Sequence, residues 1–141
     1  MKLNQIVYAS KTKKKLEFKD VREMAGKFDA SNKLRDITGL LIYGNGYFMQ
    51  ILEGEQFDIN ELYHKIAIDG RHEGITVLNY AQIALRQFNE WSMGCLLIDS
   101  QPEIKEIVEE YFEDNTFNPY NLSPEQANLF LSEVGQYYRR S

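Results

Sequence analysis

Apolar and polar positions along this chain change period several times, and each change marks an element. From Leu3 to Ser10 the residues alternate, with Ile6 and Tyr8 on one side and Val7 on the other, which predicts a strand. Lys11 to Lys15 is a polar, lysine-rich loop. From Phe18 onward, Val21, Met24, Ala25 and Phe28 fall on one helical stripe. Ile37 to Tyr43 is apolar and β-branched, Gly44-Asn45-Gly46 signals a tight turn, and Tyr47 to Glu53 reads as the returning strand of a hairpin.

Gly54 breaks that strand, and Asp58-x-x-Glu61 has the form of a capping box, with Phe57 placed to staple onto Leu62. Ile59, Leu62, Tyr63 and Ile66 make the stripe of a second helix, which Asp69-Gly70 ends. Ile75 to about Leu85 and Ser92 to Ile98 read as two more strands. After Pro102, Ile104, Ile107, Val108, Tyr111 and Phe112 mark an amphipathic helix, and Asn115 to Asn121 is a linker of turn residues. Ser123-Pro124-Glu125-Gln126 supplies an N-cap, a proline at the first helical position and a capping-box glutamine. Ala127, Phe130, Leu131, Val134 and Tyr138 are the buried stripe that follows.

The order β-α-β-β-α-β-β, then two helices, predicts an α+β fold. Its first part is the ferredoxin-like plan, with both helices on one face of the sheet. The other face is left apolar, and the two C-terminal helices are its cover. Residues 1–98 form the core domain on this reading, and 99–141 a helical extension packed on the sheet.

Composition narrows the function. With 141 residues, 43% hydrophobic and 13% aromatic, the chain can bury a core as one domain. A net charge of −5 argues against broad binding to a nucleic-acid backbone, which leaves Lys11-Thr12-Lys13-Lys14-Lys15 as a solvated loop. The single cysteine, Cys95, excludes an internal disulfide, and no Cys/His cluster has metal spacing. No apolar run reaches the length of a membrane span and the start is polar, so a cytoplasmic location is expected.

Hydrolase, phosphate-loop and dinucleotide motifs are missing. His64 and His72 are the only histidines, with no serine or cysteine near them in sequence, so no enzyme is expected. Polar residues set in apolar strands stand out instead. Gln50 lies within Tyr47-Phe48-Met49-Gln50-Ile51-Leu52, where a buried amide needs partners or costs about 1–3 kcal/mol. Tyr8 lies between Val7 and Ala9, Trp91-Ser92-Met93-Gly94 opens the last strand, and Asn32 follows the first helix. Each has a plain alternative: a core tyrosine, a solvent-facing glutamine, a helix C-cap at Asn32, core filler at Trp91 and Met93.

Taken together, Tyr8, Ile37-Thr38-Gly39-Leu40-Leu41, Phe48-Met49-Gln50-Ile51-Leu52-Glu53-Gly54, Asp69-Gly70-Arg71-His72 and Trp91-Ser92-Met93-Gly94 resemble the BLUF family, sensors of blue light using FAD. The resemblance runs from about residue 3 to about residue 98. It implies FAD held noncovalently, its ring between the two helices and against the sheet, with Met24 and Ile66 as apolar walls. It implies Asn32 on the flavin's polar edge and Asp69, Arg71 and His72 on the ribityl and phosphate region, where a guanidinium can fork onto phosphate. It gives the photochemistry to Tyr8 as electron donor and Gln50 as the amide left rearranged, by rotation or by tautomerisation. Trp91 and Met93 are then the residues that exchange places beside the flavin, which of them is nearer being open.

Ser31 departs from the family, where an asparagine or histidine is common, and a shorter side chain there alters a flavin contact. The chain reads as a short, stand-alone member with no room for an effector enzyme after Ile98. Its signal would go to a partner protein or to its own oligomer, with Tyr137 and Tyr138 as candidate contacts or as cover for the sheet. Two rival readings are a small flavin-dependent oxidoreductase and a flavin-free ferredoxin-like interaction module.

Overall fold

The computed structural model describes residues 2–140. Five strands form one sheet: β1 (Leu3–Thr12), β2 (Thr38–Gly44), β3 (Tyr47–Glu55), β4 (His72–Gln82) and β5 (Gly94–Leu97). Their spatial order is β4-β1-β3-β2-β5. The first four pair antiparallel, as the ferredoxin-like plan requires, and β5 adds in parallel beside β2. The helices are α1 (Phe18–Arg35), α2 (Gln56–Ala67), α3 (Pro102–Tyr111) and α4 (Pro124–Arg140).

Strict alternation along the strands builds two cores. Ile6, Tyr8, Leu41, Tyr43, Phe48 and Leu52 face Val21 and Ala25 of α1 and Ile59, Leu62 and Ile66 of α2. Val7, Leu40, Ile42, Met49 and Ile51 face the opposite way, onto Ile104 and Val108 of α3 and Phe130, Leu131 and Val134 of α4. The expected cover of the second face by the C-terminal helices is therefore present. Burial of Phe130, Leu131 and Val134 contributes at most about 1.5–3 kcal/mol each to holding α4 there. Tyr137 and Tyr138 are half-buried against this core, so they cover the sheet.

The hairpin turn is as expected: Asn45 and Gly46 both take positive φ, 51° and 79°, the pair of left-handed conformations a tight β2–β3 turn needs. Ser123 and Gln126 cap α4 reciprocally, through Gln126 N–H to Ser123 Oγ at 3.1 Å and Ser123 N–H to Gln126 Oε1 at 2.9 Å.

Elsewhere the boundaries moved. The first helix runs through Asn32 to Arg35, and Asp36 takes the left-handed position at φ 53°, so Asn32 is not the cap. The second helix begins earlier than Asp58, because the Glu55 carboxylate accepts from Phe57 N–H and supplies the cap. Phe57 then points outward at 69% exposure, and the Phe57–Leu62 staple does not form. The fourth strand starts at His72 and stops at Gln82, because β1 runs on to Thr12 and its pairing spans Thr12–His72 to Asn4–Gln82. Ser92 and Met93 lie in a bend before β5 rather than in it. The linker after α3 contains two short 3-10 turns, Glu113–Asn115 and Pro119–Asn121.

Candidate functional site

Tyr8 of β1 and Gln50 of β3 are direct cross-strand partners, so both side chains stand on the face covered by α1 and α2. The Tyr8 hydroxyl donates to Gln50 Oε1, and Gln50 Nε2 donates to Met93 Sδ at 3.3 Å. All three residues are buried. Burial, with Tyr63 and Asp69 nearby, raises the Tyr8 pKa well above its ordinary value, so the phenol keeps its proton. An acceptor and a donor on one amide are thus both engaged, each by a different element of the fold.

Beside this pair lies a small cleft of about 20 Å³, lined by Tyr8, Met24, Phe28, Leu41, Phe48 and Ile66, with Asp69, Arg71 and His72 at its polar end. The sequence-derived walls Met24 and Ile66 are therefore brought together with Tyr8, and α1 and α2 must part to admit an aromatic ring system. At the polar end the Arg71 guanidinium forks onto Asp69, through Nε at 3.0 Å to both carboxylate oxygens and Nη2 at 2.5 Å to Oδ2. That pairing holds the Asp69 carboxyl down at about 2. His72 spends both ring nitrogens on the protein: Nε2 lies 2.6 Å from the Ile66 carbonyl, and Nδ1 lies 2.8 Å from Ser10 Oγ. A carbonyl can only accept, so Nε2 donates to it, while the Ser10 hydroxyl partners Nδ1. His72 is thus a clamp between β1, β4 and the end of α2. It borders the cleft, but neither nitrogen is spare to hold a ligand.

Asn32 is fully buried inside α1, and its Nδ2 donates to the Ser92 carbonyl at 2.8 Å. Its Oδ1 is buried without a hydrogen-bond partner. Ser31, one residue earlier, is exposed and does not line the cleft. Successive helical residues lie about 100° apart, so burying Asn32 turns Ser31 outward. Trp91 is also away from the cleft. It packs into the core beneath α4, edge-on to Tyr138 with ring centroids 4.7 Å apart. The bend at residues 92–93 sends Trp91 to one face of the sheet and Met93 to the other, so Met93 is the one beside Gln50.

Two functional-looking groups escaped the sequence reading. Glu53 is fully buried and accepts from Gln5 Nε2 at 2.7 Å, Gln87 N–H at 3.0 Å and Phe88 N–H at 2.6 Å. Arg86 donates to Thr38 Oγ1 at 2.9 Å, the Glu53 carbonyl at 3.1 Å and the Asp36 carbonyl at 2.6 Å. Together they fix the segment leading to Trp91 onto the ends of β2 and β3. A carboxylate at an inward position of an apolar strand was the available signal for Glu53.

A family model described as sensors of blue-light using FAD matches residues 3–94. The chain is 32% identical over 111 residues to photoactivated adenylate cyclase subunit alpha of Euglena gracilis, covering 75% of this chain and 11% of that one. It is 29% identical over 91 residues to the blue light- and temperature-regulated antirepressor BluF of Escherichia coli K12, covering 64% of this chain and 23% of that protein. This chain thus spans a small fraction of the length of these curated relatives. Among solved structures, the photo-activated state of BlsA superposes with a TM-score of 0.84 at 32% identity, covering 94% of both chains. The dark-state BLUF protein BlrB has the same fold, with a TM-score of 0.80 at 23% identity over 96% of this chain and 97% of that one.

Proposed function

This chain belongs to the BLUF family, sensors of blue light using FAD, and from that premise we propose that its light response is a rearrangement of the hydrogen bonds among Tyr8, Gln50 and Met93 beside a flavin held between α1 and α2. The observation that carries this reading is the Gln50 amide, buried with Tyr8 on its oxygen and Met93 on its nitrogen.

The cleft residues fit a flavin in three respects. Met24, Phe28, Leu41 and Ile66 offer apolar walls. Asn32 does not line the cleft itself, but on the same helix as Met24 and Phe28 its buried Oδ1 has no hydrogen-bond partner, an acceptor suited to an N–H on a ring edge. Asp69 and Arg71 form a polar end for a ribityl chain. When bound, the isoalloxazine ring supplies absorption of blue light and a centre that takes up and returns an electron. We take the flavin to be FAD, as the family description has it.

The protein's own groups do the rest. Tyr8 holds a proton at its hydroxyl, aimed at Gln50 Oε1, and its raised pKa keeps it there in the dark. A half-turn of the Gln50 amide would point Oε1 at Met93 Sδ, where neither atom carries a proton, so that contact is lost. One exchanged hydrogen bond is worth about 0.5–1.5 kcal/mol, enough to bias a poised equilibrium several-fold.

Loss of the Met93 contact loosens the bend at 92–93, and that bend is tied to α4. Trp91 stacks edge-on against Tyr138, the Cys95 N–H donates to the Tyr138 hydroxyl at 3.2 Å, and Arg139 lies over Trp91 and pairs with Glu90. The last turn of α4 is therefore the output surface on this reading, offered to a partner protein or to a second copy of the chain in the cytoplasm. Among the described residues no helix is long and apolar enough to cross a membrane.

The test is an absorption spectrum of the purified protein in the dark and immediately after blue light. A flavin band that shifts slightly to the red without bleaching, recovers in darkness, and fails to shift in Tyr8→Phe or Gln50→Leu is the expected result. A shift that survives both substitutions removes the switch from this pair. Bleaching by NADH in the dark would move the protein to the oxidoreductases.

A further inference from the structure

An open basin of about 960 Å³ lies against the N-terminal half of α1 and meets the flavin cleft at Met24 and Arg71. Its walls carry Lys13, Lys14, Lys15, Lys19, Lys27 and Arg71. The same walls contribute only three acidic groups, Glu17, Asp20 and Glu23, so the basin is positive on a chain whose net charge is −5. Among the described residues none of those five lysines is in an ion pair, whereas Lys33 and Lys65 are. The loop is anchored where this matters: Lys13 N–H donates to the Arg71 carbonyl at 3.5 Å, which sets the lysines beside the cleft's polar end.

Arg71 does not meet the need for positive charge, because its fork is matched by Asp69. A doubly charged phosphate group leaving the cleft past Arg71 would find its counter-charges on the lysine loop. The volume suits a nucleotide, being at the upper end of the range for small-molecule sites.

We propose that this lysine basin binds the adenosine diphosphate half of the dinucleotide, so that the chain selects FAD over shorter flavins through Lys13, Lys14 and Lys15. The proposal rests on the flavin reading above. It adds an electrostatic subsite that the ring pocket does not need.

Full-length protein freed of copurifying flavin is titrated with riboflavin and with FAD, following flavin fluorescence. At low salt FAD binds about tenfold more tightly or better, and the preference collapses at about 0.5 M salt, where charges are screened within about 4 Å. The triple variant Lys13→Ala/Lys14→Ala/Lys15→Ala loses the preference while binding riboflavin as the parent does, which also establishes that it is folded. Equal binding of the two flavins by the parent, or a preference that the triple variant keeps, overturns the subsite and leaves the flavin reading intact. Failure to bind either flavin overturns both. An FAD-loaded chain that still takes up free ADP at the lysines shows the basin to be an independent nucleotide site, and overturns the assignment to the cofactor's own arm.

Discussion

Tyr8 and Gln50 face each other across the β1–β3 pair, and the tyrosine hydroxyl donates to the glutamine oxygen in a region with essentially no solvent. Each group is the other's buried partner. Tyr8→Phe strands the amide oxygen and Gln50→Leu strands the hydroxyl, each at about 1–3 kcal/mol. The double variant removes both polar atoms, so its loss falls short of the sum by about 0.5 kcal/mol or more. Urea unfolding of the four proteins in the dark measures this; strict additivity would mean the two side chains do not depend on one another.

Tyr8 also sets an alkaline limit. Its folded pKa lies above the unfolded value of 10.0, so its contribution to stability is whole below pH 10 and is lost as the pH rises beyond it. In an absorbance titration of phenolate, Tyr8 ionises only as the protein unfolds. Tyr8→Phe should flatten the fall in urea midpoint between pH 9 and about pH 11. An early, reversible Tyr8 titration in folded protein would contradict the buried geometry.

At the other end of the scale is Asp69. Held at about 2 against 3.8, chiefly by the hydrogen bond from Arg71, it stabilises the fold above about pH 4 and loses that effect as pH falls towards 2. The pair is partly exposed, so the expected deficit of Asp69→Asn at pH 7 is at most about 1 kcal/mol. That deficit should shrink steadily between pH 4 and pH 2 in paired urea melts. A deficit independent of pH would assign it to packing.

Gly135 lies where α4 meets Phe88: a Cβ there would stand 2.6 Å from Phe88 Cε1, and that ring is wholly buried. Helix propensity alone favours alanine by about 1 kcal/mol. Overpacking costs about 1–3 kcal/mol, so Gly135→Ala should lower the melting temperature on balance. Hydrogen exchange at 86–95 should rise in the same variant. A gain in stability would mean that α4 is free to shift.

Alternation carried most of the architecture into the sequence. Ile6 and Tyr8 against Val7, or Leu41 against Leu40 and Ile42, already sort into the two cores that the structure separates. Asn45-Gly46 and Ser123-x-x-Gln126 were legible because their chemistry is local. Motif resemblance brought Tyr8, Gln50 and Met93 to one place without saying how they touch. What stayed hidden depends on partners far along the chain. Asn32 was misplaced because the αL stop is at Asp36, and nothing local shows that its amide is needed by Ser92, sixty residues on. Trp91 and Met93, two apart, belong on one face of any strand; only the bend at 92–93 separates them. Arg86 and Glu53 meet across a gap of thirty-three residues that no periodicity records.

The Tyr138 hydroxyl that accepts from Cys95 N–H has a consequence for how the sheet ends. β5 is an outermost strand only four residues long, and Cys95 turns its amide away from β2. Tyr138 occupies the hydrogen bond that an added strand would use there. The opposite border is different: β4 is eleven residues long, with Val77 and Tyr80 exposed, and its register with β1 slips twice. Those slips twist the border away from a flat partner, and the Tyr120 hydroxyl donates to the Gly74 carbonyl at 2.6 Å beside the second of them. A sheet growing into a ladder of copies or into aggregate would therefore meet a short, phenol-plugged strand at β5, and at β4 a longer but twisted border.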